Sequence, residues 1–256
     1  MKIKIRNKLV DNLIRVLLNK LGFKIIRYNQ YLDDFTSLDK KIWDIVKPYT
    51  MTSPERVSVL IDAVKYVVEN RVDGAFVECG VWKGGSAMAM ALTLRELDQE
   101  SRDIYLYDTF SGMVAPSDID ISHQWGSAQE IFSLKKTSDD TSDWCMASLD
   151  EVKRNLNSTL YPKNYIHFVR GDVKSTIPTV LPKKISILRL DTDWYSSTKH
   201  ELIHLFPLLS KNGILIIDDY SCWEGSKKAV DEYISENNLC LFLSRIDSSA
   251  IILVKT

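Results

Sequence analysis

The sequence predicts an α/β fold: a mostly parallel sheet of seven strands with helices on both faces and an antiparallel hairpin at its end. Three observations lead there. Short apolar runs recur along the chain with helical stretches between them, the pattern of strand–helix–strand crossovers. The first run, 75–79, passes through the glycine-rich turn Gly80-Val81-Trp82-Lys83-Gly84-Gly85-Ser86 into a helix rich in Ala, Met and Leu, a nucleotide-binding type of opening. The last two runs, 239–244 and 250–254, are joined only by 245–249, which implies an antiparallel hairpin.

Taken in order, residues 1 to about 30 are basic. Leu9, Leu13, Val16, Leu17 and Leu21 fall near helical spacing, so a basic amphipathic helix is expected. It packs on the core or on a second subunit of a homo-oligomer, or it makes peripheral contact with an anionic membrane surface or a phosphate-bearing, lipid-linked substrate. With the mixed stretch after it, it forms a helical extension, 1–55, ahead of a main domain, 56–256. A helix start is written at 53–55, with Ser53 as cap, Pro54 at the first position and Glu55 in the first turn. That helix runs to about Asn70 with Val57, Leu60, Ile61, Val64 and Val68 on one face. The glycine spacing after the first strand is Gly-x-x-x-Gly-Gly, which argues against a dinucleotide pyrophosphate seat.

The second strand, 104–107, ends at Asp108, a carboxylate placed to accept from both ribose hydroxyls or to cap a turn. Residues 111–148 are irregular, carry Trp125, Phe132 and Trp144, and read as a lid-like insertion. A helix over 149–157 and a strand over 165–169 follow, ending at Arg170-Gly171-Asp172. Asp172 either accepts from an adenine amino group or closes a turn. Then come a short helix at 173–180, a strand at 185–190, a helix at 197–209, a strand at 213–217 and a helix at 224–236.

The stretch 187–198 reads Ile-Leu-Arg-Leu-Asp-Thr-Asp-Trp-Tyr-Ser-Ser-Thr, an apolar strand ending at Asp191 and Asp193. The strand at 213–217 stops in the same way at Asp218 and Asp219. If the two strands are neighbours, these acids share the edge where open α/β sheets bind ligands. Two unit charges about 4 Å apart repel by roughly 4 kcal/mol at an effective dielectric of about 20. Such acids either take up protons or surround a cation. Oxygen-only ligands suit Mg²⁺, Mn²⁺ or Ca²⁺ better than Zn²⁺. Asp191 and Asp193 can also be read as caps of the following helix.

A formal net charge of −1 gives no whole-chain attraction to nucleic acid. The four cysteines lack Cys-x-x-Cys spacing and read as reduced thiols of a cytoplasmic protein. No apolar run is long enough to span a bilayer, and no secretory signal is seen. The four histidines are dispersed and form no metal motif.

The strand pattern resembles a Rossmann-like class I S-adenosylmethionine-dependent methyltransferase. The motifs at 76–86, 107–113 (Tyr-Asp-Thr-Phe-Ser-Gly-Met), 171–172, 190–198 and 217–220 (Ile-Asp-Asp-Tyr) resemble those of the macrocin O-methyltransferase family, over roughly residues 50–235. These are metal-dependent sugar O-methyltransferases of antibiotic and surface-polysaccharide pathways. The resemblance implies that Glu78, Gly80 and Ser86 border the methionine part of S-adenosylmethionine. It places Asp108 on the ribose with Ser111 nearby, Asp172 at the adenine, and Thr52 over the cofactor. Asp191, Asp218 and Asp219 would hold Mg²⁺, and Asp193 would be the general base toward a sugar or glycan acceptor. The alternatives are a metal-dependent hydrolase on a similar sheet, which would leave Asp108 and the glycine-rich turn without a role, and a non-catalytic ligand-binding protein.

Overall fold

The structure is a computed structural model that describes Leu18, residues 31–138 and residues 142–256. The basic amphipathic helix expected over 1–30 lies outside the described residues. No helix among the described residues is long and apolar enough to cross a membrane. The compact unit runs Asp34–Thr256.

The sheet is built from β1 (Ala75–Cys79), β2 (Ile104–Asp108), β5 (Ile166–Arg170), β6 (Ile185–Leu190), β7 (Leu209–Ile217), β8 (Ser244–Arg245) and β9 (Ile251–Val254). Its order is β5-β2-β1-β6-β7-β9-β8, parallel from β5 to β7 and antiparallel for β9 and β8. Both faces are covered, and the strands show it residue by residue. Phe76, Ile187, Ile214 and Ile216 join one core, while Val77, Leu188, Leu215 and Ile217 join the other. A strand buried on both faces favours apolar residues at successive positions, which is why these segments are mostly apolar, with Glu78, Ser186 and Arg189 as buried exceptions near the strand ends. The first core is closed by α1 (Ser37–Val46), α2 (Pro54–Glu69), α3 (Gly85–Glu96) and α5 (Leu149–Ser158). The second is closed by α7 (Tyr195–Leu205) and α8 (Glu224–Glu236), with α6 (Val173–Thr176) at its border.

Register positions the site. Cys79 pairs with Tyr107 on one side and Leu190 on the other, and Leu190 pairs with Ile217. Gly80, Asp108, Asp191 and Asp218 therefore leave the sheet side by side at one edge.

Several boundaries differ from the sequence reading. Within the stretch read as an extension, 1–55, α1 buries Ile42 and Val46 in the first core. The helix expected to reach 209 stops at Leu205, where Pro207 turns the chain into a 3₁₀ segment, Phe206–Leu208. The helix expected over 173–180 is one turn, since Ile177 precedes Pro178 and is extended. The strand expected over 239–244 reduces to Ser244–Arg245, because β9 offers pairing partners only at Ile251 and Ile252. The insertion holds a short hairpin, β3 (Ile121–Ser122) with β4 (Gly126–Ser127), and an unforeseen helix, α4 (Ala128–Lys135). Ala128 of that helix forms a third small core with Trp194 and Trp223, and Trp144 packs against it.

Candidate active site

At the end of β1, Glu78 is buried and its Oε1 accepts from Arg189 Nη1 at 2.7 Å, while its Oε2 has no partner. Burial pushes this carboxyl up to about 7 against the pull of Arg189. Gly80 follows with φ 83°, and a Cβ there would fall 2.0 Å from the Asp191 carbonyl oxygen. Only glycine lets the first turn pass the end of β6 so closely. Ser86 is buried in the first turn of α3. Asp108 ties β2 to the glycine-rich turn: its Oδ2 accepts from the Val81 and Trp82 N–H groups at 2.6 and 3.1 Å, and its Oδ1 from Phe110 N–H at 2.7 Å. Burial raises it, and those N–H groups pull it back down.

Arg189 was missed in the sequence reading, although a lone arginine inside an otherwise apolar strand is a visible signal. It is buried at the centre of the acids, with Nη1 2.7 Å from both Glu78 and Asp191 and Nη2 2.6 Å from Asp218. Arg56 at the start of α2 was also missed. It pairs with Asp218 and, at 2.7 Å, with Asp247. One carboxylate thus answers two guanidinium groups, and a buried charge persists only when compensated in this way.

The acids converge as follows. Asp191, Asp193 and Asp219 each offer an oxygen within 4.8 Å of the others. Asp218, expected as a third metal ligand, is not in this trio, because both of its oxygens are held by Arg56 and Arg189. Burial pushes Asp193 up to about 7, with the charge of Asp191 adding to it. Burial also holds Asp191 and Asp219 well above the usual carboxylate range, against Arg189 in the case of Asp191. The Oδ2 of Asp219 is buried without a partner. Three clustered carboxylates, one with an orphaned oxygen, form an all-oxygen donor set that fits a hard divalent cation. Asp193 has φ 65°, and the Trp194 N–H donates to the Thr192 carbonyl across it at 2.7 Å. This is a γ-turn of the strained hand, costing on the order of 1–3 kcal/mol.

These groups wall a cavity of about 270 Å³ that also takes in Thr52, Asp172, Met113, Val114 and the rings of Trp144, Trp194 and Trp223. Thr52 Oγ1 is buried without a partner. Asp172 both borders the cavity and caps α6 by accepting the Lys174 N–H at 2.9 Å. Ser111 is not among the lining residues; Thr109 and Gly112 stand there instead. Gly112 at φ 99° bends the chain beside it, a turn that motif spacing alone does not reveal. The three indoles pack mutually at centroid distances of 5.6, 6.2 and 5.1 Å and form an aromatic wall beside the acids.

Residues 18–255 match the family model for macrocin O-methyltransferase. The chain belongs to that family. Macrocin-type enzymes are S-adenosylmethionine-dependent O-methyltransferases, and this chain is an O-methyltransferase of that kind. It is 30% identical over 203 residues to a demethyldecarbamoylnovobiocin O-methyltransferase of Streptomyces niveus, covering 79% of this chain and 74% of the relative. It is 29% identical to a mycinamicin III 3''-O-methyltransferase of Micromonospora griseorubida, covering 79% of this chain and 77% of the relative. Among solved structures it is similar to the O-methyltransferase NovP, at 26% identity and a TM-score of 0.71, covering 97% of this chain and 98% of that one. Family membership sets aside the hydrolase expected as an alternative.

Proposed function

We propose that this protein transfers the methyl group of S-adenosylmethionine to a sugar hydroxyl with the help of Mg²⁺, in the cytoplasm, during the building of a glycosylated small molecule or polysaccharide. The observation that carries the reading is the acidic trio Asp191, Asp193 and Asp219 on the cavity that also contains Glu78, Gly80 and Ser86. The named acceptors of the two relatives support a sugar-bearing substrate. Free cysteines support a reducing compartment.

Glu78 Oε2, Thr52 Oγ1 and the first turn of α3 supply polar groups toward the charged methionine end of the donor. Asp108 stands at the ribose end and Asp172 at the adenine end. The sulfonium carries its own leaving group, so alignment of oxygen, methyl carbon and sulfur is the main demand on the protein. Asp191 and Asp219 would hold Mg²⁺, which when bound stabilises a developing alkoxide. Asp193, raised to about 7 by burial, takes the hydroxyl proton at its carboxylate. The three indoles, packed tilted or edge to face, border the acids with apolar surface for the acceptor ring.

The test is Asp193→Asn on an acceptor found by screening nucleotide-linked and lipid-linked glycans. Loss of a general base lowers kcat by about 10²–10⁴-fold, with binding of S-adenosylhomocysteine retained. Unchanged turnover removes the base assignment, and activity persisting in excess EDTA removes the metal.

A further inference from the structure

Between the two acids of the β6 terminus stands Thr192, and its hydroxyl is not spare. It lies 2.9 and 3.1 Å from the two carboxyl oxygens of Glu201 on α7. Glu201 is fully buried, and among the described residues it has no ion pair. Its neighbours are the Thr192 hydroxyl and the Cys79 thiol, and burial keeps it well above the usual carboxylate range. Nothing in the transfer chemistry touches it. One helical turn before it, the Ser197 hydroxyl shares its proton between the Thr192 carbonyl at 3.2 Å and the Trp194 carbonyl at 3.1 Å. One helix face therefore grips Thr192 twice, at its carbonyl and at its hydroxyl.

That grip falls on the strained γ-turn. The Thr192 carbonyl accepts the Trp194 N–H across Asp193. A positive φ at a non-glycine residue persists only where its surroundings over-determine it. We infer that Glu201 is a positioning residue for this site: through the Thr192 hydroxyl it holds the γ-turn that sets Asp193 against Asp191 and Asp219. This rests on the reading of Asp193 as the base.

The test uses the full chain carrying T192V, T192S, E201Q, E201L or the T192V/E201L pair. Mn²⁺ binding is read by electron paramagnetic resonance of the free ion, S-adenosylhomocysteine binding by calorimetry, and kcat on the screened acceptor. T192V is expected to weaken Mn²⁺ binding about tenfold and to lower kcat about a hundredfold, with S-adenosylhomocysteine affinity and donor KM unmoved. T192S and E201Q, which keep the hydroxyl and an accepting oxygen, restore parental values. The pair falls no further than T192V alone, because both changes remove one interaction. Parental Mn²⁺ binding and kcat in T192V, or additive losses in the pair, overturn the inference; should E201L fail to fold, T192V with its T192S rescue and E201Q decide it. D193N separates the two claims. If D193N turns over like the parent, the base reading has failed; if D193N is inactive and T192V is parental, only the role of Glu201 has failed.

Discussion

Gly80 shows how little room the binding edge leaves. Its missing Cβ is the space occupied by the Asp191 carbonyl, and its φ of 83° adds a conformational demand that alanine resists. G80A must push the first turn away from β6, and with it the pocket for the donor. The expected cost is about 2 kcal/mol or more of stability, measured by thermal melts, together with loss of S-adenosylhomocysteine binding by calorimetry. Thr52 and Glu78 present the opposite situation. Each carries a buried oxygen without a partner, which a protein normally avoids, so each is better explained by a ligand than by folding.

The insertion is held to the site by its packing on Trp194 and Trp223, by the Trp194 Nε1–H donating to the Val114 carbonyl at 3.0 Å, and by one buried carboxylate. Asp120 is buried; its Oδ1 accepts the Tyr195 N–H at 2.8 Å at the start of α7, and its Oδ2 accepts the Ser117 N–H and hydroxyl at 2.7 and 2.6 Å. A side chain at Gly225 would collide with the same carboxylate, so the first turn of α8 also closes on it. D120A strands those donors and is expected to cost about 1–3 kcal/mol, with limited proteolysis cutting first in the insertion. That hold was not legible in the sequence, where 111–148 showed turn residues and scattered aromatics but no period. The strands at 75–79 and 185–190 were legible, because burial on both faces leaves a mostly apolar run even with Glu78, Ser186 and Arg189 in it. At 239–243 the same kind of run misled: Leu239, Leu241 and Leu243 pack on the second core without a strand partner. The acidic edge was legible because Asp191 and Asp219 end neighbouring strands. The split of roles among four aspartates was not, since the arginine from α2 that engages Asp218 comes from a distant part of the chain.

At the scale of the molecule, the acidic trio ties stability to pH, and under the proposed function to metal as well. Burial holds Asp191 and Asp219 well above, and Asp193 up to about 7 from, an ordinary carboxylate value near 3.8. A carboxyl raised in the folded state binds more protons there than in the unfolded chain. Its contribution is therefore fully present below the unfolded value and is lost as pH rises through the folded one. Without metal, stability should decline as pH climbs from about 4 to about 7. A divalent cation competes with those protons. The rise in Tm produced by Mg²⁺ is thus expected to be larger at pH 8 than at pH 5.5, as differential scanning calorimetry can show; an equal rise at both would mean that the ion binds elsewhere. The cavity wall has one more consequence. Trp82, Trp144, Trp194 and Trp223 are four of the chain's six tryptophans, so most of its indoles stand where small molecules enter. A compound that seats among them is expected to change the emission, so an unlabelled chemical library can be screened by light.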